Sequence, residues 1–451
     1  MLSRSRCALF GSAQNNLFFG HCICRQQPTS RSVTVASSAA ISSLTPYTAA
    51  TTTPLSSSSL LPTTTSNTTI HNNLSHYRKM TTIKFQQIKP TPTTNNANTT
   101  AATSSKPLAR SSHGLSIIQN GSLLVLYGGE HIARTPIEDT NSSQVLWVAK
   151  KGAAEDWQWI VPTITGSSAP PARVAHAQAA VGNTIYIFGG RNGIEMGENA
   201  MNDLWMLQID PDHNTASWTQ IHDTTMDSAA TTTTVPEARS FHKMIAIGTN
   251  LYMFGGCSPS GRMNDLWKFD TLSCQWTELG VSKVLRGRGG PNVLSLDDSK
   301  KIAIVAGFAG EETNDGHVYR IGDGGDGKWE EKGMKGLNDM RPRSVCCFAS
   351  LPKVNKCVIF GGEVDPSAKG HEGAGGFERD VVILDGTSGS VLENIKPAVA
   401  GGDDENYWPG NRGWADATVH EDTFYIFGGL AGDDVSPIRL DDLWQCQVSP
   451  E

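Results

Sequence analysis

No aspartate or glutamate occurs in the first 129 residues, although the 451-residue chain holds 44 of them. That stretch carries ten basic side chains. The remainder therefore has 27 basic against 44 acidic residues and stands at −17. So acidic a body argues against general nucleic-acid binding, which relies on clustered cations to displace counterions. Long apolar runs are missing too. No stretch of about eighteen apolar residues occurs, so no membrane-spanning helix is expected. The nine cysteines form no pair of CxxC units, and their odd number and irregular spacing speak against a disulfide framework. A reducing compartment is the simpler expectation. No nucleophile–base arrangement stands out.

Residues 28–79 are dominated by Ser, Thr and Ala, as in TAATTTPLSSSSLLPTTTSNTT. Such a segment buries too little apolar surface to offset its ordering entropy, and residues 1–79 are expected to be disordered. The first 31 residues bear Arg and Ser without acid, which suits a transit peptide to a mitochondrion or plastid. An extension upstream of a start at Met80, with a cytoplasmic product, fits equally, and an inert tail is the third reading.

From residue 80 onward the chain repeats. Six short apolar runs end in two small residues: LLVLYGG (123–129), IYIFGG (185–190), LYMFGG (251–256), IAIVAG (302–307), CVIFGG (357–362) and FYIFGG (424–429). These runs are apolar at every position, as strands covered on both faces are. Each unit continues with a second strand (NDLWML, NDLWKFD, RDVVILD) and then a third that opens on a large apolar residue such as Trp157, Trp218 or Trp276. The sixth unit ends at Glu451 before its third strand. TTIKFQQIKP (81–90) has the missing signature in Phe85 and Ile88, so it is expected to cross over and close the sixth blade. This pattern resembles kelch repeats. It predicts an all-β fold, a six-bladed kelch β-propeller over residues 80–451.

An arginine precedes every small pair at nearly constant distance: Arg110, Arg173, Arg239, Arg288, Arg343 and Arg412, each 16 or 18 residues earlier. Equal phase places them at one end of the innermost strands, around the central channel. Two roles fit. Each ties its strand to a neighbouring carboxylate or carbonyl, or several point into the funnel and bind an anion through their forked donors. His113, His176 and His242 each follow their Arg by three, which suggests a scaffold hydrogen bond. Trp414 breaks the small-residue pattern after Arg412. It is either a flat surface for a ligand or blade packing.

The stretch GGEVDPSAKGHEGAGGFERD (361–380) follows the fifth glycine pair. Glu363, Asp365 and His371 offer two carboxylates and an imidazole, a set that suits Fe(II). KPLARSSHG, PARVAHA, PEARSFH, GRGG, this stretch and NRGW occur in that order. Together they resemble the kelch proteins of glucosinolate breakdown, the epithiospecifier, thiocyanate-forming and nitrile-specifier proteins. That resemblance implies a lyase-like, iron-dependent redirection of a sulfated glucosinolate aglycone toward nitriles. It implies sulfate contacts at Arg173 and Arg239 and an aromatic wall at Trp414. The family's iron motif, Glu-x3-Asp-x3-His, is matched by Glu363 and His371, while Ser367 holds the middle position. Two functions remain open: a small anionic ligand handled in the funnel, or an acidic protein segment bound there by an interaction scaffold.

Overall fold

A computed structural model describes residues 81–92, 105–140, 144–193, 198–222, 234–322, 327–397 and 408–450, the side chains of His371 and Pro450 excepted. The chain divides into residues 1–75 and 76–451, and everything described belongs to the second unit. The readings of residues 1–79 as a disordered or targeting segment lie outside the described residues.

The described residues contain no α-helix. Six of the sheets they build are the blades of a propeller, and in each the inner strands run antiparallel and outward in chain order, while three further two-stranded sheets are small hairpins. The inner strands are Gly114–Ile118, Ala177–Val181, Lys243–Ile247, Asn292–Leu296, Cys347–Leu351 and Asp416–His420. Each touches the next, and the sixth touches the first, so they enclose one axis.

Blade six closes as the sequence predicts. Thr81–Ile88 pairs antiparallel with the last strand, from Thr81 opposite Pro450 to Ile88 opposite Leu443. Phe85 and Ile88 turn inward. Phe85 meets Phe360 of blade five at 5.5 Å and Trp408 at 4.7 Å.

The core lies between blades. Six apolar clusters fill the six gaps, such as Phe188 and Trp276 between blades two and three and Trp159 and Phe427 between blades one and six. This explains the runs without alternation, because both faces of Leu123–Tyr127 are buried. The glycine pairs permit the close approach. A Cβ on Gly128 would stand 2.9 Å from the Arg173 carbonyl oxygen of the next blade, and Gly128 sits at φ +68°. Blade four tolerates Ala306 there at φ 61°.

Two features were not expected. Thr163–Thr165 adds a parallel fifth strand to blade two. The 361–380 stretch, read mostly as loop, forms a small hairpin of Glu363–Asp365 against Gly376–Phe377.

Candidate functional site

The six in-phase arginines stand at one end of the inner strands, as expected, but they are buried in the blades. Each Nε donates to the carbonyl two residues earlier. Each Nη1 donates to the carbonyl of the first small residue of its pair, at 2.8–3.1 Å. In five blades the fork then grips an aspartate: Arg173 to Asp203, Arg239 to Asp265, Arg288 to Asp315, Arg343 to Asp380 and Arg412 to Asp442. Blade one has no such carboxylate. Arg110 bonds the carbonyls of Gly128, Val145 and Gln144 instead, and burial pushes it down to about 9. Of the two roles weighed for these arginines, this geometry carries the strand-tying one. The expectation that several of them, Arg173 and Arg239 included, contact a ligand has no support in it.

The three histidines face neighbouring blades. His113, His176 and His242 meet Phe427, Tyr127 and Phe188 edge-on, each at 5.5 Å. His242 Nε2 lies 3.1 Å from the Phe188 carbonyl oxygen. Burial holds all three below the usual imidazole range, so they are neutral.

Two residues beyond each arginine the backbone turns left-handed. Ser112, Ala175, Phe241, Gly290, Val345 and Trp414 have φ between 48° and 57°. Each N–H donates to the carbonyl of the equivalent residue in the preceding blade, and Ser112 donates to Trp414. Six bonds of 2.8–3.0 Å thus close a collar around the axis. Trp414 is half-buried and has Phe377 edge-on at 5.8 Å.

Outside the collar lies a second ring, the residue after each small pair: Glu130, Arg191, Cys257, Phe308, Glu363 and Leu430. Each bridges the residue after its arginine, as Ser344 bridges Glu363. Arg191 stacks over Phe241 at 5.3 Å and Arg262 over Phe308 at 4.8 Å. Burial pushes the Cys257 thiol up. Arg262, opposite Cys257 in the hairpin of Cys257–Ser258 against Gly261–Arg262, and Arg191 both act against that rise. Sequence reasoning missed this pair. The signal was available: within otherwise uniform repeats, the position after the glycines changes type from blade to blade, although five of the six residues there are buried.

Of the expected iron set, Asp365 and Glu363 have other partners, Glu363 accepting from the Ser367 amide at 3.4 Å. Both Asp365 oxygens accept from Arg341 at 2.8 and 2.9 Å, and Arg341 also reaches Glu378. The Ser367 hydroxyl bonds the Asp434 carboxylate of blade six, and Lys369 reaches the Asp434 carbonyl at 2.6 Å. Glu363 is buried, and desolvation pushes its carboxyl up to about 7, opposite to what a cation beside it would do. Glu312, whose Oε1 accepts from the Ser344 hydroxyl, is raised to about 8 by burial and by Glu363. Among the described residues no three His, Cys, Asp or Glu side chains converge on a metal position, and the His371 side chain lies outside them. The described residues do not fit a ferrous ion.

On the axis below the collar, Lys243 of blade three reaches across to Asp416 of the opposite blade six. Nζ and Oδ1 are 2.9 Å apart, and Asp416 Oδ2 accepts from the Leu115 amide at 2.8 Å. Above this strut is a void of about 30 Å3. Below it a cavity of about 430 Å3 opens toward the hairpin turns at the other end of the inner strands.

Comparison with known proteins agrees with the architecture. The family model of the KLHDC2/KLHL20/DRC7 Kelch-repeats domain matches residues 82–229 and 213–362. The chain is 28% identical over 333 residues to the N-(sulfonatooxy)prop-2-enimidothioate sulfolyase of Thlaspi arvense, covering 69% of this chain and 85% of that protein. It is 28% identical over 258 residues to Adagio protein 3 of Arabidopsis thaliana, covering 54% of this chain but only 37% of that protein. It is 33% identical over 112 residues to the mouse Rab9 effector protein with kelch motifs, a quarter of this chain and 26% of that one. The solved structure titled "Structure of YjhT" superposes with a TM-score of 0.51 at 15% identity, over 76% of this chain and 98% of that one, a likeness of fold alone.

Proposed function

Because this chain belongs to the KLHDC2/KLHL20/DRC7 Kelch-repeats domain family, its scaffold is a shared one, and we propose that its function lies in what varies at the collar face: the binding of a small anion by Arg262, with Arg191 adding positive charge. The observation that carries this is the exposed Arg262 guanidinium stacked on Phe308, with the buried Arg191 stacked on Phe241. A stacked, exposed guanidinium such as that of Arg262 presents its in-plane donors to a sulfate, phosphate or carboxylate. Phe241 belongs to the collar, and Trp414 stands across the collar from it, so a flat group beside the anion has aromatic surface to lie on.

The name of the Thlaspi relative denotes an organic sulfate as substrate. For such a ligand Arg262 would hold the departing sulfate as negative charge grows on it, aided by the charge of Arg191, which favours fragmentation without a nucleophile. The chain would then act as a specifier-like, lyase-type factor. Iron has no part in this reading.

The test is direct. Inorganic sulfate and an aryl sulfate ester are titrated into residues 80–451 and followed by calorimetry. Arg262→Met is expected to weaken binding at least about tenfold and Arg191→Met by less, while Arg341→Met leaves it unchanged. Equal affinity in all four proteins would refute the reading. Binding of an acidic peptide but not of either sulfate, lost in the same variants, would make the chain an interaction scaffold. A product assay with thioglucosidase and a glucosinolate separates turnover from binding.

A further inference from the structure

We infer that the axial cavity is a second ligand site, on the side of the molecule away from the collar face, and that it takes a small zwitterion of the α-amino-acid type. Its volume, about 430 Å3, is that of a small-molecule pocket. At its inner end stand Lys243 and Asp416. The other charged groups that line it are Asp297, Asp298, Lys353, Lys356 and Glu421, and these belong to the hairpin turns at the outer rim.

The strut is incompletely satisfied. An ammonium carries three donors, and Lys243 gives one to Asp416. A carboxylate offers about four acceptor positions. Asp416 uses one on Lys243 and one on the Leu115 amide. Both side chains keep some exposure, 19% and 14%, and both line the cavity. Donors and acceptors therefore remain side by side.

Charge decides the class of ligand. The pair is neutral as a unit. A lone carboxylate or a lone amine would leave a net charge beside the partly buried pair, which is costly. A zwitterion brings its own balance: carboxylate to Lys243, ammonium to Asp416. The walls suit an apolar side chain, since Leu115, Ile117, Met244, Val293 and Phe348 line the same space. Lys243 also lies 5.9 Å above the Phe348 ring, which fixes the ammonium at the hydrophobic wall. Polar contacts at mid-depth come from Thr418 and Ser116.

The experiment uses residues 80–451 and a panel of apolar L-amino acids, with the matching amines and carboxylates as controls. Thermal stability and calorimetry are the readouts. At least one zwitterion is expected to raise Tm by a few degrees at high excess, its amine and carboxylate analogues by none. Lys243→Met and Asp416→Asn should lose that affinity at least tenfold. Because either change disturbs an ion pair and can harm folding, a third variant leaves the pair alone: Ala246→Phe, at an exposed wall position, fills the cavity and should abolish binding with Tm near that of the parent. Arg191→Met should leave zwitterion binding intact, which separates this site from the collar face. No zwitterion binding, or binding untouched by Ala246→Phe, overturns the inference. Preference for the simple carboxylate overturns the assigned class.

Discussion

At the scale of single residues the repeated arginine shows how a polar side chain specifies an apolar fold. Arg239 has no exposure, and its partner Asp265 has 6%. Its fork joins the start of the inner strand, the end of the second strand and the start of the third. Removing one member strands the other. Arg239→Met is expected to cost about 3–5 kcal/mol, because the buried Asp265 charge keeps only the Trp267 indole N–H and loses its counterion. Adding Asp265→Leu should recover part of it, since that change leaves the Trp267 N–H without its acceptor. Urea denaturation of the single and double variants measures both, and a double variant no more stable than the single one would contradict the account. Arg110 differs in kind: its hydrogen bonds go to carbonyls and no carboxylate sits in its fork, so Arg110→Met loses hydrogen bonds without stranding a directly bonded carboxylate.

At the scale of elements, the strand Thr81–Ile88 has the largest consequence. It supplies the outer edge of blade six and covers the unpaired side of the last strand. Without it Pro437–Pro450 would present a long open edge, a template for another chain. Phe85→Ala is expected to destabilise by about 3–5 kcal/mol. Deletion of residues 81–88 should convert a monodisperse protein into higher oligomers on size exclusion, and a deletion variant that stays unassociated and equally stable would count against this. The closing strand was legible in the sequence because Phe85 and Ile88 carry the spacing of Trp218 and Ile221. The arginine phase was legible for the same reason. What could not be read was direction. Phase puts Arg173 at the channel mouth but does not say whether its side chain turns to the axis or into the blade, and Asp203, thirty residues later, settled that through space. Arg262 belongs to no repeat, so only folding brings it over Phe308 of the next blade. Asp365 was chosen by its nearness to His371 along the chain, and Arg341, from the previous blade, takes it instead.

At the scale of the whole molecule, buried ionisable groups of opposite tendency set the pH range of stability. Burial, then the adjacent arginine, pulls His176 down to about 3, and His113 and His242 move the same way. An unfolded imidazole titrates near 6.5. The stability these groups contribute is therefore full above about pH 6.5 and is lost as pH falls below it. Glu312 and Glu363 have the opposite sign. Raised to about 8 and about 7, they contribute fully below about pH 4.3 and lose that contribution as pH rises to those values. Each group acts with a slope of about 1.4 kcal/mol per pH unit within its window. Three histidines outweigh two carboxyls on the acid side, so stability should peak near pH 6.5. Glu312→Gln should raise the urea midpoint at pH 8 and leave it nearly unmoved at pH 4. An equal rise at both values would mean that the effect is not ionisation.

The collar also fixes how many blades the protein can have. Stacked repeats in an open array can gain or lose a unit at little cost, since each addition only extends the row. A hydrogen-bonded cycle has no end at which to extend. Six amides hand their protons to six carbonyls in one direction of rotation, and a duplicated or deleted repeat would leave a donor and an acceptor without each other until the whole circumference was redrawn. Descendants of this chain are thereby steered away from changing their blade number and toward rewriting the short connections that stand on the ring.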